Sequence, residues 1–277
     1  MDVLTIERLD GSIFRVNLRR LDVWPEESTP EWAEKDYGAL KLVESAGIPA
    51  PRPLHLDTAG ELFGCPSIAS TYLPGRPWMP TEDSHRWTAG LAEAAFAIHS
   101  VTPERFDLSR LNVQPRDGMR NRIDGFRERV RGNKLAAEVY KALARNLDRI
   151  ELLPPTLVHG DFWAGNTIWS RRRLTGIIDW AEAFVGDPRA DIGECRGDLN
   201  MSHGPEAANR FSDDYERLTG TPIRDLWFFD LYVGINALLN YKLWLQGYHD
   251  LGLRRLTVAV AGKRLRIFVR RALDEAT

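Results

Sequence analysis

The first twenty positions of the chain alternate between apolar and polar residues. The alternation covers Val3–Leu9 and Ser12–Arg20, and the dipeptide Asp10-Gly11 between them is typical of a tight hairpin turn. A period of two indicates strands with one buried face. The sequence therefore predicts that an antiparallel hairpin opens the chain.

A helical pattern follows the hairpin. Thr29 predicts an N-cap, Pro30 the first helical residue and Gly47 the end of a helix of about four turns. Leu40 and Val43 mark the buried face of this helix.

Asp36 lies on the same face, because it precedes Leu40 by four residues and Val43 by seven. A buried carboxylate needs a cationic partner, and Arg19 and Arg20, at the end of the second predicted strand, are the nearest candidates in the sequence. The alternative is a solvated acid at the rim of the apolar face.

The next apolar run, Pro66–Leu73, predicts a further strand, and Pro74–Pro77 is a turn-rich joint suited to a hinge. Helical patterns dominate afterwards, with Thr81 as N-cap of a helix over Glu82–His99 and one or two helices within Ile123–Leu153. We therefore expect an α+β protein with an N-lobe over residues 1–73 and a helical C-lobe over residues 74–277.

Composition narrows the possible classes of protein. The 277 residues are 43% hydrophobic, which allows a sizeable core, and the formal net charge of −2 gives no global field that would attract nucleic acid or an anionic membrane. Two distant cysteines and an N-terminus without a signal-peptide pattern predict a reduced, cytoplasmic protein. The most apolar helix candidate, Leu226–Leu245, carries Asp230 and Lys242 and is not expected to span a membrane.

The segment of residues 156–191 carries the candidate chemistry. Thr156–Val158 predicts a short strand, His159–Asn166 a polar loop, and Thr167–Trp169 a hairpin with Leu174–Ile178. This layout places Asp161, Asn166 and Asp179 at the same end of the hairpin. The Arg171–Arg173 turn between the strands is interpreted as a solvated hairpin tip.

Phosphoryl transfer requires a group that accepts the proton of the attacking hydroxyl and oxygen ligands that hold Mg²⁺ against the phosphates. Asp161 precedes Asn166 by five residues, the spacing of the base and the Mg²⁺-binding asparagine in a kinase catalytic loop, and Asp179 follows the hairpin as a second metal ligand does. The spacing predicts a phosphoryl-transfer site.

These residues resemble the aminoglycoside phosphotransferase family, whose relatives include choline, homoserine and fructosamine kinases and macrolide phosphotransferases. The family motifs correspond to His159-Gly160-Asp161 with Asn166, to Ile178-Asp179-Trp180, and to Gly186-Asp187-Pro188 with Asp191. The resemblance covers nearly the whole chain and implies a bilobal, protein-kinase-like fold that uses ATP and Mg²⁺. It also implies Asp161 as catalytic base, Asn166 and Asp179 as metal ligands, and structural roles for Asp187 and Asp191.

The resemblance also indicates a nucleotide site in the N-lobe. Arg19 corresponds to the phosphate-contacting residue of the family, and Asp36 stands where its pairing glutamate usually lies. Backbone groups of Thr71 and Leu73 correspond to the adenine hinge. The family's first strand and glycine-rich loop would precede Val3, where this sequence has no such segment; a late start and a real absence both remain open, and a real absence predicts weaker cradling of the phosphates.

Three other classes of protein share parts of this pattern. His159 and Asp161 could ligate zinc in a hydrolase, but zinc would need a third ligand at suitable spacing, and the pattern of Asn166 and the hairpin fits Mg²⁺ and phosphate better. A structural histidine is the preferred interpretation of His159. A protein kinase is disfavoured because six residues separate Asp179 from Gly186, too few for an activation loop. A nucleotide-binding protein without transfer activity remains the alternative.

The acceptor is expected to be a small molecule with a hydroxyl group. Residues 182–230 contain 11 acids and 5 arginines, a local net charge of −6 that favours a cationic acceptor. Asn236, Asn240 and Trp244 share one helix face, which could line a pocket or pack in the core.

Overall fold

The computed structural model describes residues 2–22, 29–80 and 84–276. The strands are β1 (Asp2–Glu7), β2 (Ile13–Arg20), β3 (Pro53–Asp57), β4 (Ser67–Thr71), β5 (Arg76–Pro77), β6 (Thr156–Val158), β7 (Thr167–Ser170), β8 (Arg173–Ile177) and β9 (Phe184–Gly186). The helices are α1 (Pro30–Ser45), α2 (His85–His99), α3 (Arg116–Asp124), α4 (Lys134–Asn146), α5 (Arg189–Ser202), α6 (Pro205–Thr219), α7 (Leu226–Asp250) and α8 (Val258–Glu275). The result is the small antiparallel sheet and larger helical part expected of the bilobal α+β fold.

The predicted opening hairpin is confirmed as β1 and β2, which pair antiparallel from Asp2↔Leu18 to Glu7↔Ile13. Gly11 adopts a left-handed φ of 79°, which the turn requires. The hairpin continues into a four-stranded sheet of order β1-β2-β4-β3, in which the strand predicted over Pro66–Leu73 is shortened to β4.

Helix α1 begins and ends close to the predicted residues. The Thr29 hydroxyl accepts a hydrogen bond from the Trp32 N–H, which caps the helix, and Pro30 occupies the first turn. Leu40 and Val43 are buried as predicted, and so is Asp36. This helix packs against β3 and β4 and thereby presents Asp36 to the end of β2.

The chain passes from the first sheet to the second at Pro74 and Gly75. Gly75 has a φ of 134°, and a Cβ atom there would lie 2.6 Å from the Trp169 carbonyl oxygen, so the position requires glycine. Directly afterwards, β5 pairs with β7 in the three-stranded sheet β5-β7-β8. This close approach connects the predicted hinge to the hairpin of the candidate site.

The helical part forms around two groups of buried side chains. One group joins α1, α2, α5 and α6 and includes Trp87, Leu91 and Phe211; the other joins α3, α4, α7 and α8. None of the helices within residues 2–22, 29–80 and 84–276 combines the length and apolar character that crossing a bilayer requires.

Several boundaries differ from the predicted ones. The helices expected within Ile123–Leu153 are α4 and the end of α3. Helix α3 begins earlier than predicted, at Arg116. Its start was missed because only Met119 and Ile123 are buried, so its polar sequence shows a weak apolar period. The described part of α2 begins at His85, and the predicted start at Thr81–Glu82 lies outside the described residues. Strands β3, β5 and β9 had not been predicted; β5 lies within the segment predicted as a turn-rich joint.

Candidate active site

Asp191 anchors the loop that carries Asp161. Its Oδ2 accepts the His159 backbone N–H at 2.7 Å, and its Oδ1 accepts the Gly160 N–H at 2.9 Å. Gly160 has a φ of 85°, and a Cβ atom there would lie 2.4 Å from the Glu182 carbonyl oxygen. The loop therefore depends on a glycine and on a buried carboxylate from α5, which agrees with the structural role expected of Asp191.

His159 is a structural residue of the same loop, as predicted. Its Nε2 lies 3.0 Å from the Ile178 carbonyl oxygen, which can only accept, so Nε2 carries the proton. Its Nδ1 then accepts the Asp161 backbone N–H at 3.3 Å. Because both ring nitrogens are engaged and no three His, Cys, Asp or Glu side chains group as a metal site within the described chain, the zinc hydrolase alternative lacks support.

Asp161 and Asn166 contact each other directly. Asn166 Nδ2 donates to Asp161 Oδ2 at 2.8 Å and to the Asp161 carbonyl oxygen at 2.9 Å. The Ile178 N–H donates to the Asn166 carbonyl oxygen at 2.9 Å, which brings the adjacent Asp179 to the same end of the hairpin. The structure thus brings together the three residues that the spacing had grouped.

The carboxyl group of Asp161 holds its proton more tightly than an ordinary aspartate does. Burial raises its pKa, with smaller contributions in the same direction from Asp179 and Glu182. His159 and the hydrogen bond from Asn166 act in the opposite direction. A group with a raised pKa beside a cavity has the electrostatics of a general base.

Arg19 connects the first sheet to Asp179. Its Nη1 lies 3.0 Å from Asp36 Oδ2 and 2.7 Å from Asp179 Oδ1. The Asp36 side chain is 4% exposed and that of Asp179 is 45% exposed, so one end of this bridge is buried and the other faces solvent. Asp179 also has a left-handed φ of 66°, a strained conformation for a residue other than glycine, asparagine or aspartate. The sequence had suggested the Arg19–Asp36 pair, whereas the contact with Asp179 had not been predicted.

Thr71 and Leu73 lie at the end of β4, beside the passage to the second sheet. The Thr71 N–H donates to the Arg52 carbonyl oxygen at 2.9 Å, and the Thr71 hydroxyl accepts from the Arg52 N–H. The Leu73 N–H has no backbone acceptor among the described residues, and the Leu73 side chain packs over Gly176. Of the two predicted hinge residues, Leu73 therefore retains an available backbone donor.

A cavity of about 610 Å³ opens beside Asp161. Its walls come from the catalytic loop, α5 and α7, and include the aromatic residues Trp163, Trp244 and Tyr248. Three acids besides Asp161 line it, namely Glu182, Glu194 and Asp198, and Arg122 is the cationic side chain among the described lining residues. Of the α7 face named from the sequence, Asn236 and Trp244 are part of this wall, whereas Asn240 is not and instead donates a hydrogen bond to Asn236. Trp244 also packs against the core, so both interpretations of this face apply in part.

Two of the lining acids are strongly affected by their surroundings. Burial, together with the charge of Asp161, raises the pKa of Glu194 to about 8. Burial also raises the pKa of Asp198 to about 7, although the Tyr248 hydroxyl donates to its Oδ1 at 2.6 Å. The cavity thus concentrates four carboxyl groups, and Arg122 offsets part of their charge by lowering the pKa of Glu194.

The family model described as "Phosphotransferase enzyme family" matches residues 6–227, which is well over half of the chain. The chain belongs to this phosphotransferase family. The match includes β2, α1, the loop of Asp161 and Asn166, and α5, so the candidate catalytic, metal and nucleotide-site residues lie within it, whereas Asn236, Asn240 and Trp244 lie beyond it.

Two known proteins that are similar to this family member are longer than the matched segment. It is 25% identical over 229 residues to acyl-CoA dehydrogenase family member 10 of Mus musculus, covering 76% of this chain and 21% of that protein. It is 26% identical over 174 residues to homoserine kinase of Beijerinckia indica subsp. indica, covering 58% of this chain and 53% of that protein. The chain therefore spans about a fifth of the first relative and about half of the second.

Among solved structures, the family member is similar to a thermostable mutant of aminoglycoside phosphotransferase APH(4)-Ia in a ternary complex with ADP and hygromycin B. The TM-score is 0.63 with 20% identity, and the likeness covers 97% of this chain and 93% of the other. At this level of identity the comparison shows the fold.

The sequence had not shown which of the acids line the cavity and which form ion pairs. Of the 11 acids in residues 182–230, only Glu182, Glu194 and Asp198 line the cavity. Others have local partners: Asp187 pairs with Arg189, and Asp230 pairs with Arg196. The four-residue spacing of Glu194 and Asp198 on one helix face was the available signal, because it marks acids that share a side of α5. His99, the last residue of α2, contacts Asp191 Oδ2 through its Nε2 at 3.2 Å.

Proposed function

We propose that the chain is an ATP- and Mg²⁺-dependent phosphotransferase that moves the γ-phosphate to a hydroxyl group of a small molecule. The observation that carries the proposal is the Asp161–Asn166 contact at the edge of the 610 Å³ cavity. It fixes a carboxylate with a raised pKa where an acceptor hydroxyl can approach. A protein that only bound nucleotide would have no physical need for a base in that position.

In this proposal Asp161 accepts the proton of the attacking hydroxyl, and Asn166 fixes the orientation of the carboxylate. Asp161 Oδ2 receives the Asn166 amide, so Oδ1 is the oxygen available for the acceptor. General bases of this kind typically contribute about 10²–10⁴ in rate. Asp191 acts indirectly, by holding the backbone that precedes Asp161.

Asn166 and Asp179 have the chemistry of a Mg²⁺ site. The Asn166 amide nitrogen is engaged with Asp161, which leaves its Oδ1 as an oxygen donor, and the exposed Asp179 carboxylate supplies a second hard ligand. When bound, Mg²⁺ would neutralise phosphate charge during transfer. The left-handed backbone of Asp179, which aspartate tolerates, places this side chain at the end of the hairpin beside Asn166.

The nucleotide site would combine Arg19 with the end of β4. Arg19 has the planar guanidinium that binds phosphate oxygens, and Asp36 holds it in place. The free N–H of Leu73 and the neighbouring backbone of Thr71 would contact the base. In this arrangement residues 1–73 form an N-lobe, residues 74–277 a C-lobe, and the nucleotide lies between them. The ADP complex of the similar aminoglycoside phosphotransferase supports ATP as the donor.

We further propose that the acceptor is cationic and that the enzyme works in the cytoplasm. The acidic and aromatic walls of the cavity favour a positively charged acceptor. The free thiols of Cys65 and Cys195 fit a reducing compartment.

Isothermal titration with ATP, with and without Mg²⁺, tests the nucleotide site, and ADP release in the presence of aminoglycosides, macrolides, choline-like amines and sugars tests transfer. We expect Mg²⁺-dependent binding and acceptor-stimulated ADP release that the Asp161→Ala variant loses. Binding without any acceptor-stimulated release would favour the non-transferring alternative. Full turnover by Asp161→Ala would overturn the mechanism.

A further inference from the structure

The Asp191 carboxylate has a third donor besides the two loop amides. His99, at the end of α2, places its Nε2 atom 3.2 Å from Asp191 Oδ2, the same oxygen that accepts the His159 N–H at 2.7 Å. The side chains of His99 and Asp191 are 3% and 1% exposed, so the contact is shielded from bulk water. Because a carboxylate oxygen only accepts, the Nε2 atom of His99 carries a hydrogen and donates it.

The other nitrogen of the His99 ring is engaged as well. Its Nδ1 atom lies 2.8 Å from the hydroxyl of Tyr215 on α6, and the two rings meet edge to face with centroids 5.6 Å apart. Burial, together with the charges of Asp191 and Asp187, raises the pKa of Tyr215, so the hydroxyl keeps its proton. With the ring hydrogen on Nε2, the Nδ1 atom is an acceptor, and Tyr215 donates to it.

These contacts connect three helices with the loop of the proposed base. Tyr215 comes from α6, His99 from α2 and Asp191 from α5. The Asp191 oxygens then accept the backbone N–H groups of His159 and Gly160. A carboxylate held only by two amides of one loop can turn together with that loop. A donor from a separate helix opposes this movement, so His99 adds a fixed point that the loop itself does not supply.

We propose that His99, held by Tyr215, is a positioning residue that fixes the Asp191 carboxylate and, through it, the backbone before the proposed base. The inference rests on the proposed function only in naming Asp161 as that base. The described lining of the 610 Å³ cavity does not include His99 or Tyr215, so both act through Asp191. A displacement of the base by about 1 Å can cost about 10² in rate, which gives this remote contact an effect on transfer.

Packing alone is the other interpretation of a buried histidine at the end of a helix. A side chain that only filled space would need neither ring nitrogen, and leucine could replace it. The two hydrogen bonds of His99 instead require one donor and one acceptor on the same side chain. The two interpretations therefore differ in what His99→Leu and His99→Gln do, because glutamine retains a donor and an acceptor whereas leucine retains neither.

Amide hydrogen exchange of the intact chain, resolved by NMR without nucleotide or acceptor, tests the anchoring directly. In His99→Leu we expect the His159 and Gly160 amides to exchange about tenfold faster or more, since their shared acceptor loses its fixed orientation. His99→Gln keeps a donor for Asp191 and should recover most of the protection. The ratio of the loop rates to the rates of amides within α4 removes any change in global stability.

Tyr215→Phe removes one hydroxyl and leaves the ring in place. We expect exchange at Gly160 to become about threefold faster in this variant, with no further acceleration when it is combined with His99→Leu, because the hydroxyl acts only through the imidazole. Tyr140→Phe removes a hydroxyl that is hydrogen-bonded to Asp124 and serves as the matched control, with wild-type exchange at Gly160. Tyr215→Phe also keeps the proposal testable if His99→Leu does not fold.

A second measurement connects the anchoring to transfer. With an acceptor that supports ADP release, kcat of His99→Leu should fall by about tenfold or more, while the Kd for Mg²⁺·ATP stays within about twofold. The proposal would be overturned by wild-type exchange or wild-type kcat in a folded His99→Leu chain, by equal acceleration in Tyr140→Phe, or by additive effects of His99→Leu and Tyr215→Phe. A wild-type chain without transfer activity would count against the proposed function alone, because the exchange measurement needs no turnover.

Discussion

Arg19 Nη1 lies 2.7 Å from Asp179 Oδ1, which joins two residues that are 160 positions apart in the sequence. The same nitrogen lies 3.0 Å from Asp36 Oδ2. One guanidinium thus stands between a buried carboxylate and a proposed metal ligand. If Mg²⁺ and phosphate bind here, Asp179 turns to the metal and Arg19 to the phosphate, while Asp36 keeps Arg19 in position.

This relationship predicts the effect of removing Arg19. In Arg19→Ala we expect the Kd for Mg²⁺·ATP, measured by calorimetry, to rise by roughly tenfold or more, because a charge-assisted contact to phosphate is lost. Arg19→Lys should bind with intermediate affinity, since an ammonium keeps the charge but cannot bind phosphate oxygens in the bidentate way of a guanidinium.

Arg20 provides the matched control for this prediction. It is the next residue of β2, it is 45% exposed, and its described ion pairs are with Asp2 and Asp22. Arg20→Ala removes the same charge from the opposite face of the strand and should leave the Kd for Mg²⁺·ATP within about twofold. An unchanged Kd in Arg19→Ala would remove Arg19 from the nucleotide site.

Asp161→Asn separates the proposed base from its structural contacts. The substitution retains an oxygen for the Asn166 amide but cannot accept a proton, so kcat should fall by about 10²–10⁴ while the Kd for Mg²⁺·ATP stays close to that of the wild-type chain. Stopped assays of ADP release with an active acceptor measure the first quantity and calorimetry the second. A parallel loss of nucleotide binding would show that Asp161 acts in the nucleotide site instead.

The raised pKa of Asp161 adds a pH dependence to this prediction. The base works only when it is deprotonated, so kcat/KM should fall as the pH decreases through its folded-state pKa, which lies above the ordinary 3.8. A profile that stays flat down to pH 3.8 would contradict the raised pKa or the role of Asp161.

Local patterns predicted much of the fold, because they reflect short-range physics. Asp10-Gly11, Thr29 and Pro30 each act through their own backbone and nearest neighbours, and the hairpin and α1 formed where they indicated. Strand β3 was not predicted because it forms by pairing with β4, and that contact leaves no pattern in the sequence of β3 itself. The start of helix α3 was predicted at Ile123 instead of Arg116, because its polar sequence weakens the helical period of apolar residues.

The candidate site shows the same limit. The spacing of Asp161, Asn166 and Asp179 was readable because one loop and one hairpin carry all three. The Arg19–Asp179 contact depends on how the first sheet packs against the rest of the molecule. The burial of Asp198 Oδ2, which has no hydrogen-bond partner among the described residues, depends on helices α5 and α7 lying side by side. Neither relationship has a signature in local sequence.

The cavity acids predict how stability depends on pH. The pKa of Glu194 is about 8 in the folded chain against the ordinary glutamate value of 4.5, so between these values the folded state holds a proton that the unfolded state has released. The stability due to this proton is complete below pH 4.5 and is lost as the pH rises to about 8. Glu194→Gln removes the dependence and should raise the Tm relative to the wild-type chain by an amount that grows from pH 4.5 to pH 8.

Thermal unfolding of both chains across this pH range measures the difference. Glu93→Gln, at an exposed position of α2, is the control and should give a small difference that does not grow with pH. A constant Tm difference for Glu194→Gln would mean that burial does not raise the pKa of this group.

A substitution of Asp191 tests whether the position of the loop before Asp161 affects the rate of transfer, because Asp191 itself takes no part in the proposed chemistry. Its two oxygens accept the N–H groups of His159 and Gly160 and contact His99 Nε2, so Asp191→Asn must turn an amide nitrogen toward one of these donors. We expect the free energy of unfolding to fall by about 1–3 kcal/mol, because a buried donor loses its acceptor. We also expect kcat for ADP release to fall, as the backbone before Asp161 moves, with the Kd for Mg²⁺·ATP little changed. Assays well below the Tm of the variant separate these effects. A folded Asp191→Asn protein with wild-type kcat would show that this carboxylate stabilises the C-terminal part of the molecule without positioning the base.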